Sequence, residues 1–225
     1  MDGMDTGKNE RVLIIGRSPS VILEVAGMLR RKGFHAGATN QFDQILTEYD
    51  TPELDIVVFG GMVPPDTKRY LREQISRVNS HVTFVQGLAG IAGLIAAQVE
   101  GVRSAAPDDD MGDVEYDSVS RTVRLGLRVP SRVVVEAWWA TSFTPPEPTS
   151  TSKRVIDMHF DSGQHIIPLS DEVPAVASFV TVSVGTMVRA FTVGAMPEAV
   201  MRMVPTGDAA VQTLPPVDAV ATRIA

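Results

Sequence analysis

Apolar residues in the first hundred positions fall into short blocks that alternate between two periods. Val12-Leu13-Ile14-Ile15 is one continuous apolar block, as in a parallel strand covered on both faces. After Gly16, apolar residues recur at helical spacing as Val21, Ile22, Val25, Ala26 and Leu29. Ser18 is placed to cap this helix, and Pro19 to fill its first position, where a missing N–H costs nothing. Arg30, Arg31 and Lys32 complement the dipole of its last turn, and Gly33 supplies the stop. The unit then repeats. Residues 34–39 read as a weaker second strand, and Asn40 as the cap of a short helix carrying Phe42, Ile45 and Leu46. Residues 55–59 form a strong third strand ending at Gly60-Gly61. Pro64-Pro65-Asp66 opens a helix with Tyr70, Leu71, Ile75 and Val78 on one side. Residues 81–85 make a fourth strand ending at Gln86-Gly87, and 90–99 a fourth helix. Strands regularly interleaved with helices predict a parallel sheet with right-handed crossovers.

Past Gly101 the helical period gives way to a period of two. Val123, Leu125, Leu127 and Val129 alternate with Thr122, Arg124, Gly126 and Arg128. Val133, Val135, Ala137 and Trp139 alternate with Val134, Glu136, Trp138 and Ala140. Such alternation belongs to antiparallel sheets with one buried face. Asp161-Ser162-Gly163 reads as the turn of a hairpin between 154–160 and 164–169, and Gly185-Thr186 as the turn of another between 178–184 and 187–193. Residues 144–152 read as a loop. Six or seven short strands at this spacing predict a β-sandwich.

The fold class expected is therefore α/β plus all-β, a small parallel doubly wound βα domain followed by an antiparallel sandwich. Residues 1–10 read as a disordered leader, 11–104 as the α/β domain, 105–114 as an acidic linker, 115–195 as the sandwich, and 196–225 as a short helix and a surface tail.

Ligands of doubly wound domains bind outside the carboxyl ends of the strands. That rule selects Gly16, Arg17, Ser18, Gly60, Gly61 and Gln86 as candidate binding residues, with Arg17 and Ser18 able to hold an anion at a helix N-terminus. The first hundred residues resemble a response-regulator receiver domain, or a small Rossmann-like domain. The stretch from Asp55 to Pro64 is similar to a receiver's third strand and the Met-Pro loop after it. In that alignment Gly60 stands at the phosphoacceptor position, Gly16-Arg17 replaces the acidic pair after strand one, and Gln86 or Gly87 replaces the hydroxyl residue after strand four. The resemblance thus implies a pseudo-receiver without phosphoacceptor chemistry. As a dinucleotide fold the chain is degenerate, because Ser20 and Ile22 replace two of the three glycines that let backbone approach a pyrophosphate. The second half resembles an immunoglobulin- or fibronectin-type sandwich.

Two further features carry possible chemistry. His159 and His165, with Asp157 and Asp161, would face one another across the predicted hairpin and could suit a metal; polar residues on its wet face are the simpler reading, and no metal is assigned. Trp138 and Trp139 place one indole on each face of a strand. Trp139 shares a face with Val133 and Val135, so Trp138 is the outward ring and the candidate interface residue, with packing on the N-terminal domain or a loop as the alternative.

Composition narrows the classes. A net charge of -7 without a basic patch argues against a phosphate backbone as partner. The chain has no cysteine, which removes disulfides, thiol catalysis and Cys-ligated metal. No apolar run approaches the roughly 20 residues of a membrane span, so a cytoplasmic location is expected. No Ser-His-Asp set, Walker loop or zinc-protease motif is present. The function expected is non-enzymatic, through protein–protein association that includes self-association, with no cofactor. The alternative is a nucleotide- or anion-binding protein, or a degenerate NAD(P)-type enzyme, using the Gly16–Ser18 turn.

Overall fold

The structure is a computed structural model and describes residues 10–88, 90–103, 111–142, 147–195 and 216–224. They belong to two compact units. The first spans the chain to Ala92 together with Glu147, Pro148 and the C-terminal segment 216–224; the second begins at Gly93.

The first unit is a parallel sheet in the order β2-β1-β3-β4, made of β1 (Arg11–Ile15), β2 (His35–Thr39), β3 (Ile56–Phe59) and β4 (Thr83–Gln86). The apolar blocks predicted these strands because each is covered on both sides. Leu13, Ile15, Val57 and Phe59 pack with Ile45, Leu54, Val63, Leu71 and Ile75, which come from α2 (Ile45–Glu48), α3 (Pro65–Val78) and their flanking loops. The alternate residues Val12, Ile14, Ile56 and Val58 are equally buried and point to the opposite face. There α1 (Pro19–Arg31) buries Val21, Ile22, Val25, Ala26 and Leu29. Gly33, at φ +91°, ends α1 as expected.

Asn40 does not cap α2. That helix starts after a single 3-10 turn at Phe42–Gln44, and the Asn40 carboxamide is used elsewhere. It donates to the Asp218 carbonyl at 2.7 Å and accepts from the Val220 N–H at 2.8 Å. The segment 216–224 thus lies along the outer edge of β2, where Thr39 pairs antiparallel with Ala221. The expected short helix after Gly194 falls on 196–215, outside the described residues. The expected surface tail is, over 216–224, an edge segment of the sheet. It seats because β2 is built from Ala36, Gly37 and Ala38: a Cβ at Gly37 would stand 2.7 Å from Ile224 Cγ1.

The second unit has two antiparallel sheets, β5-β6-β9 and β11-β10-β7-β8. Their strands are β5 (Met111–Asp117), β6 (Thr122–Leu127), β7 (Ser131–Ser142), β8 (Thr149–Phe160), β9 (Gly163–Pro168), β10 (Ser178–Val184) and β11 (Met187–Val193). One core joins the sheets: Val123, Leu125, Leu127 and Ile167 from the first, Val133, Val135, Val180, Val182 and Val184 from the second. The hairpin at Gly185-Thr186 forms, closing with Val184 opposite Met187.

The turn at Asp161-Ser162 does not make a hairpin. β8 pairs with β7 while β9 pairs with β6, so the chain changes sheets there. Crossing places Ile167 and Leu169 in the core, which a two-stranded ribbon would leave half-wet. Residues 149–152, expected in a loop, extend β8, and 111–114, expected in the linker, open β5. The rest of that linker, with the three aspartates 108–110, lies outside the described residues.

The fourth helix, α4 (Ala92–Arg103), runs beyond its expected end and belongs from Gly93 onward to the second unit, not to the α/β unit in which the βα repeat placed it. A Cβ on Gly93 would fall 1.9 Å from Trp138 Cζ3, and one on Gly101 3.0 Å from the Val188 carbonyl oxygen. The two glycines lie two turns apart, with the buried Ala97 between them. This bare stripe lets the helix backbone lie directly on the sheet. Among the described residues no helix is long and apolar enough to cross a membrane.

Candidate functional site

In a sheet of order β2-β1-β3-β4 the connections after β1 and β3 leave in opposite directions, and a ligand crevice opens between them. The residues expected to line it do gather at the strand ends. Gly16 and Gly60, however, are packed on one another. The Gly60 N–H donates to the Ile15 carbonyl at 2.8 Å and the Gly16 N–H to the Thr39 carbonyl at 3.1 Å. Each ladder therefore continues one residue past its strands. A Cβ at Gly60 would stand 3.3 Å from Gly16 Cα, so the glycines here bring backbone to backbone rather than backbone to phosphate.

The helix start beside them is occupied. Ser18 has cap geometry, but its hydroxyl makes no cap hydrogen bond to the α1 backbone. It donates instead to Glu147 Oε2 at 2.5 Å. The Ser20 N–H donates to the same oxygen at 3.3 Å, and the Ser20 hydroxyl donates to it as well. A carboxylate thus sits where the partial positive charge of the helix N-terminus favours an anion. Ser18 is buried, which makes a charged acceptor there more valuable than one in water. Arg17 is half-buried beside this group.

Gln86 closes the far side. Its carboxamide donates to the Phe59 carbonyl at 3.0 Å and the Gly87 carbonyl at 3.2 Å, and its oxygen accepts from Lys68 Nζ at 3.1 Å. Burial, then the neighbouring Arg72, hold the Lys68 ammonium below the usual lysine range. Arg72 in turn lies over the Phe59 and Phe84 rings, 5.4 and 5.2 Å from their centroids. Gly61 is part of the turn after β3 and remains half-buried.

Sequence reasoning missed Glu147 and Lys68. Lys68 lies one turn into α3 and could have been found from the helix start at Pro65. Glu147, in Pro146-Glu147-Pro148, carries no local signal of a partner 129 positions away.

The two remaining candidates are placed apart from this site. His159 stands opposite Arg132 in one sheet and His165 opposite Leu125 in the other, because the hairpin that would have joined them does not form. His165 Nε2 lies 2.8 Å from the Asp161 carbonyl, and its ring packs on Phe160 at 4.6 Å. Asp157 is held by Arg132 at 2.8 and 3.0 Å and by Arg154 at 3.1 Å. Among the described residues no group of three His, Asp or Glu side chains is arranged to hold a metal. Trp138 does face away from the sandwich core, but its indole lies on Gly93 of α4 and its N–H donates to Thr181 Oγ1 at 3.0 Å. The ring is engaged in the packing of its own unit. Trp139, expected in the core, is half-buried, whereas Val133, Val135 and Ala137 are fully buried.

Comparison with protein-family models and with curated protein sequences finds no match for this chain.

Proposed function

We propose that this chain is a non-catalytic, two-unit protein that works through protein–protein association, with a second copy of itself among its partners. The observation that carries the reading is the state of the β1–β3 switch point. Doubly wound domains hold an anionic cofactor at the crevice between these loops and at the adjoining helix N-terminus. Here the two loops approach so closely at the first that a Cβ on Gly60 would lie 3.3 Å from Gly16 Cα, and the Glu147 carboxylate takes the second. The residue types agree: Gly60 and Gly16-Arg17 stand where a receiver-like domain would need acids. The strand order matches the flavodoxin-like order short of its last strand. The three- and four-stranded sheets of the second unit resemble an immunoglobulin- or fibronectin-type sandwich. Both folds host recognition as well as catalysis, so the weight rests on the occupied helix N-terminus rather than on the architecture.

The rival reading, an anionic ligand that displaces Glu147, draws on the same convergence of donors. Thermal-shift measurements with millimolar NAD, NADP, AMP and sugar phosphates separate the two. Association without a cofactor leaves the melting temperature unchanged. A ligand present at a hundred times its Kd adds about 2.7 kcal/mol, a shift of several degrees, and would overturn the proposal. Size-exclusion chromatography with light scattering tests the self-association, which a chain monomeric at every concentration would exclude.

A further inference from the structure

We propose that the outer edge of β2 is a strand-accepting site for segment 216–224 of a second copy, so that two chains associate by exchanging this segment. The proposal rests on the self-association reading above and gives it a route.

The edge is equipped to read an extended backbone. The Asn40 N–H donates to the Val220 carbonyl at 3.0 Å and the Thr222 N–H to the Ala38 carbonyl at 2.9 Å. Between these bonds the Asn40 carboxamide clamps the Asp218 carbonyl and the Val220 N–H. Arg30 Nη2 donates to the Arg223 carbonyl at 3.2 Å and to Thr222 Oγ1 at 3.3 Å. Arg30 Nε meanwhile holds the β2 carbonyl of Ala36 at 2.7 Å. The Tyr49 hydroxyl donates to the Thr222 carbonyl at 3.1 Å. Two side chains supply selectivity. Thr222 Oγ1 accepts from the Ala38 N–H at 2.8 Å, and Ile224 occupies the space that Gly37 leaves open and joins the core of the first unit. Along the segment Val220, Thr222 and Ile224 are half-buried while Ala221 and Arg223 are exposed, the alternation of a docked strand.

These contacts are the same whichever chain supplies the segment. Exchange therefore conserves every hydrogen bond, and its balance is set by effective concentration rather than by new contacts. Residues 196–215 connect the segment to Ala195. Twenty residues span at most about 70 Å, which sets the upper limit on how far a neighbouring copy's β2 edge can lie from Ala195. An edge left open would expose unpaired N–H and C=O groups that recruit other strands. Carrying the complementary strand on the same chain makes a second copy the matched occupant.

The absence of native cysteine permits a direct test in the full chain. Thr39 and Ala221 are directly opposite in a non-hydrogen-bonded antiparallel pair, whose Cα atoms lie about 4.5 Å apart, within disulfide range. Chains carrying Thr39→Cys and chains carrying Ala221→Cys are mixed and equilibrated in a glutathione buffer. The linked peptides are then identified by mass spectrometry. Exchange yields a disulfide between positions 39 and 221 of different chains, in a fraction that rises with protein concentration. Adding Gly37→Val to the Thr39→Cys chain crowds Ile224 and lowers that yield by about tenfold or more. The proposal is overturned if the mixed single variants form no 39–221 bond, whether or not the double variant Thr39→Cys/Ala221→Cys closes one within a single chain. A dimer seen by light scattering without the 39–221 bond removes exchange and leaves association standing; a monomer without the bond removes both.

Discussion

Glu147 brings a full negative charge to the first turn of α1, a helix with no acidic residue of its own there. Its carboxylate collects donors from Ser18 and Ser20, so it performs the capping that Ser18 was expected to perform alone. Hydrogen bonds to a charged acceptor and the interaction with a helix N-terminus each contribute about 1 kcal/mol. Glu147→Ala is therefore expected to lower stability by about 1–2 kcal/mol in urea unfolding, and unchanged stability would mean that the contact is idle. Asp157 is the second informative residue. The hydrogen-bonded Arg132 guanidinium, helped by Arg154, holds its carboxyl below the usual carboxylate range. A folded-state value below the unfolded one of about 3.9 gives stability that is present above that pH and is lost as pH falls through the folded value. Wild type should thus melt above Asp157→Asn at pH 7, and the gap should close in acid. A gap that widens as pH falls would refute the assignment. The candidate binding residues at strand ends were legible in the sequence, because turns that follow apolar blocks are. Their use was not, because the carboxylate that takes the helix N-terminus comes from Glu147, far along the chain.

At the scale of elements, two helical glycines make opposite predictions. Gly27 lies inside α1, and a Cβ there would meet nothing nearer than Arg31 Nη1 at 3.5 Å. Gly27→Ala should stabilise by about 0.5–1 kcal/mol, since alanine loses less backbone entropy in a helix. Gly93→Ala puts its methyl group into the Trp138 ring and should destabilise by about 2 kcal/mol or more. Thermal unfolding followed by tryptophan fluorescence reads both changes, and the same sign for both would contradict the packing of α4 on β7. The apolar period of α4 was visible in the sequence, but its partner was not. A helix following a βα repeat is expected to return to the parallel sheet, and only the bare stripe of Gly93, Ala97 and Gly101 hints at close approach to another surface. The turn at Asp161-Ser162 misled in the same way. Two polar residues and a glycine specify a reversal of direction, while the choice between pairing locally and crossing to the other sheet is made by where Ile167 and Leu169 can be buried.

The first unit closes on the last described residues of the chain. Ile224 packs against the core that holds Leu13, Ile15 and Ile45, so Ile224→Ala should cost about 2 kcal/mol. It should also expose 216–224 to proteases that spare the wild type; equal resistance of the two proteins would show that the segment contributes nothing. The alternation of Val220, Thr222 and Ile224 was available in the sequence as a strand signature. A lone five-residue alternation among Pro, Ala and Thr is weak without an edge to receive it. That edge, with Gly37 and Asn40, lies some 180 positions away.

Local patterning alone determined most of the elements. Continuous apolar blocks, helical stripes and strict alternation follow from how many faces of an element are buried, and that count is written into the residues of the element itself. Tertiary structure decided every pairing between distant segments: Glu147 on α1, α4 on β7, β9 on β6 and 216–224 on β2. Each depends on the shape and unsatisfied polar groups of a surface that exists only once the chain has folded. The stretch from Arg11 to Ser20 shows the division most clearly. Its strand, turn and helix follow from its own residues, whereas the occupancy of its anion seat by the chain itself is a property of the fold.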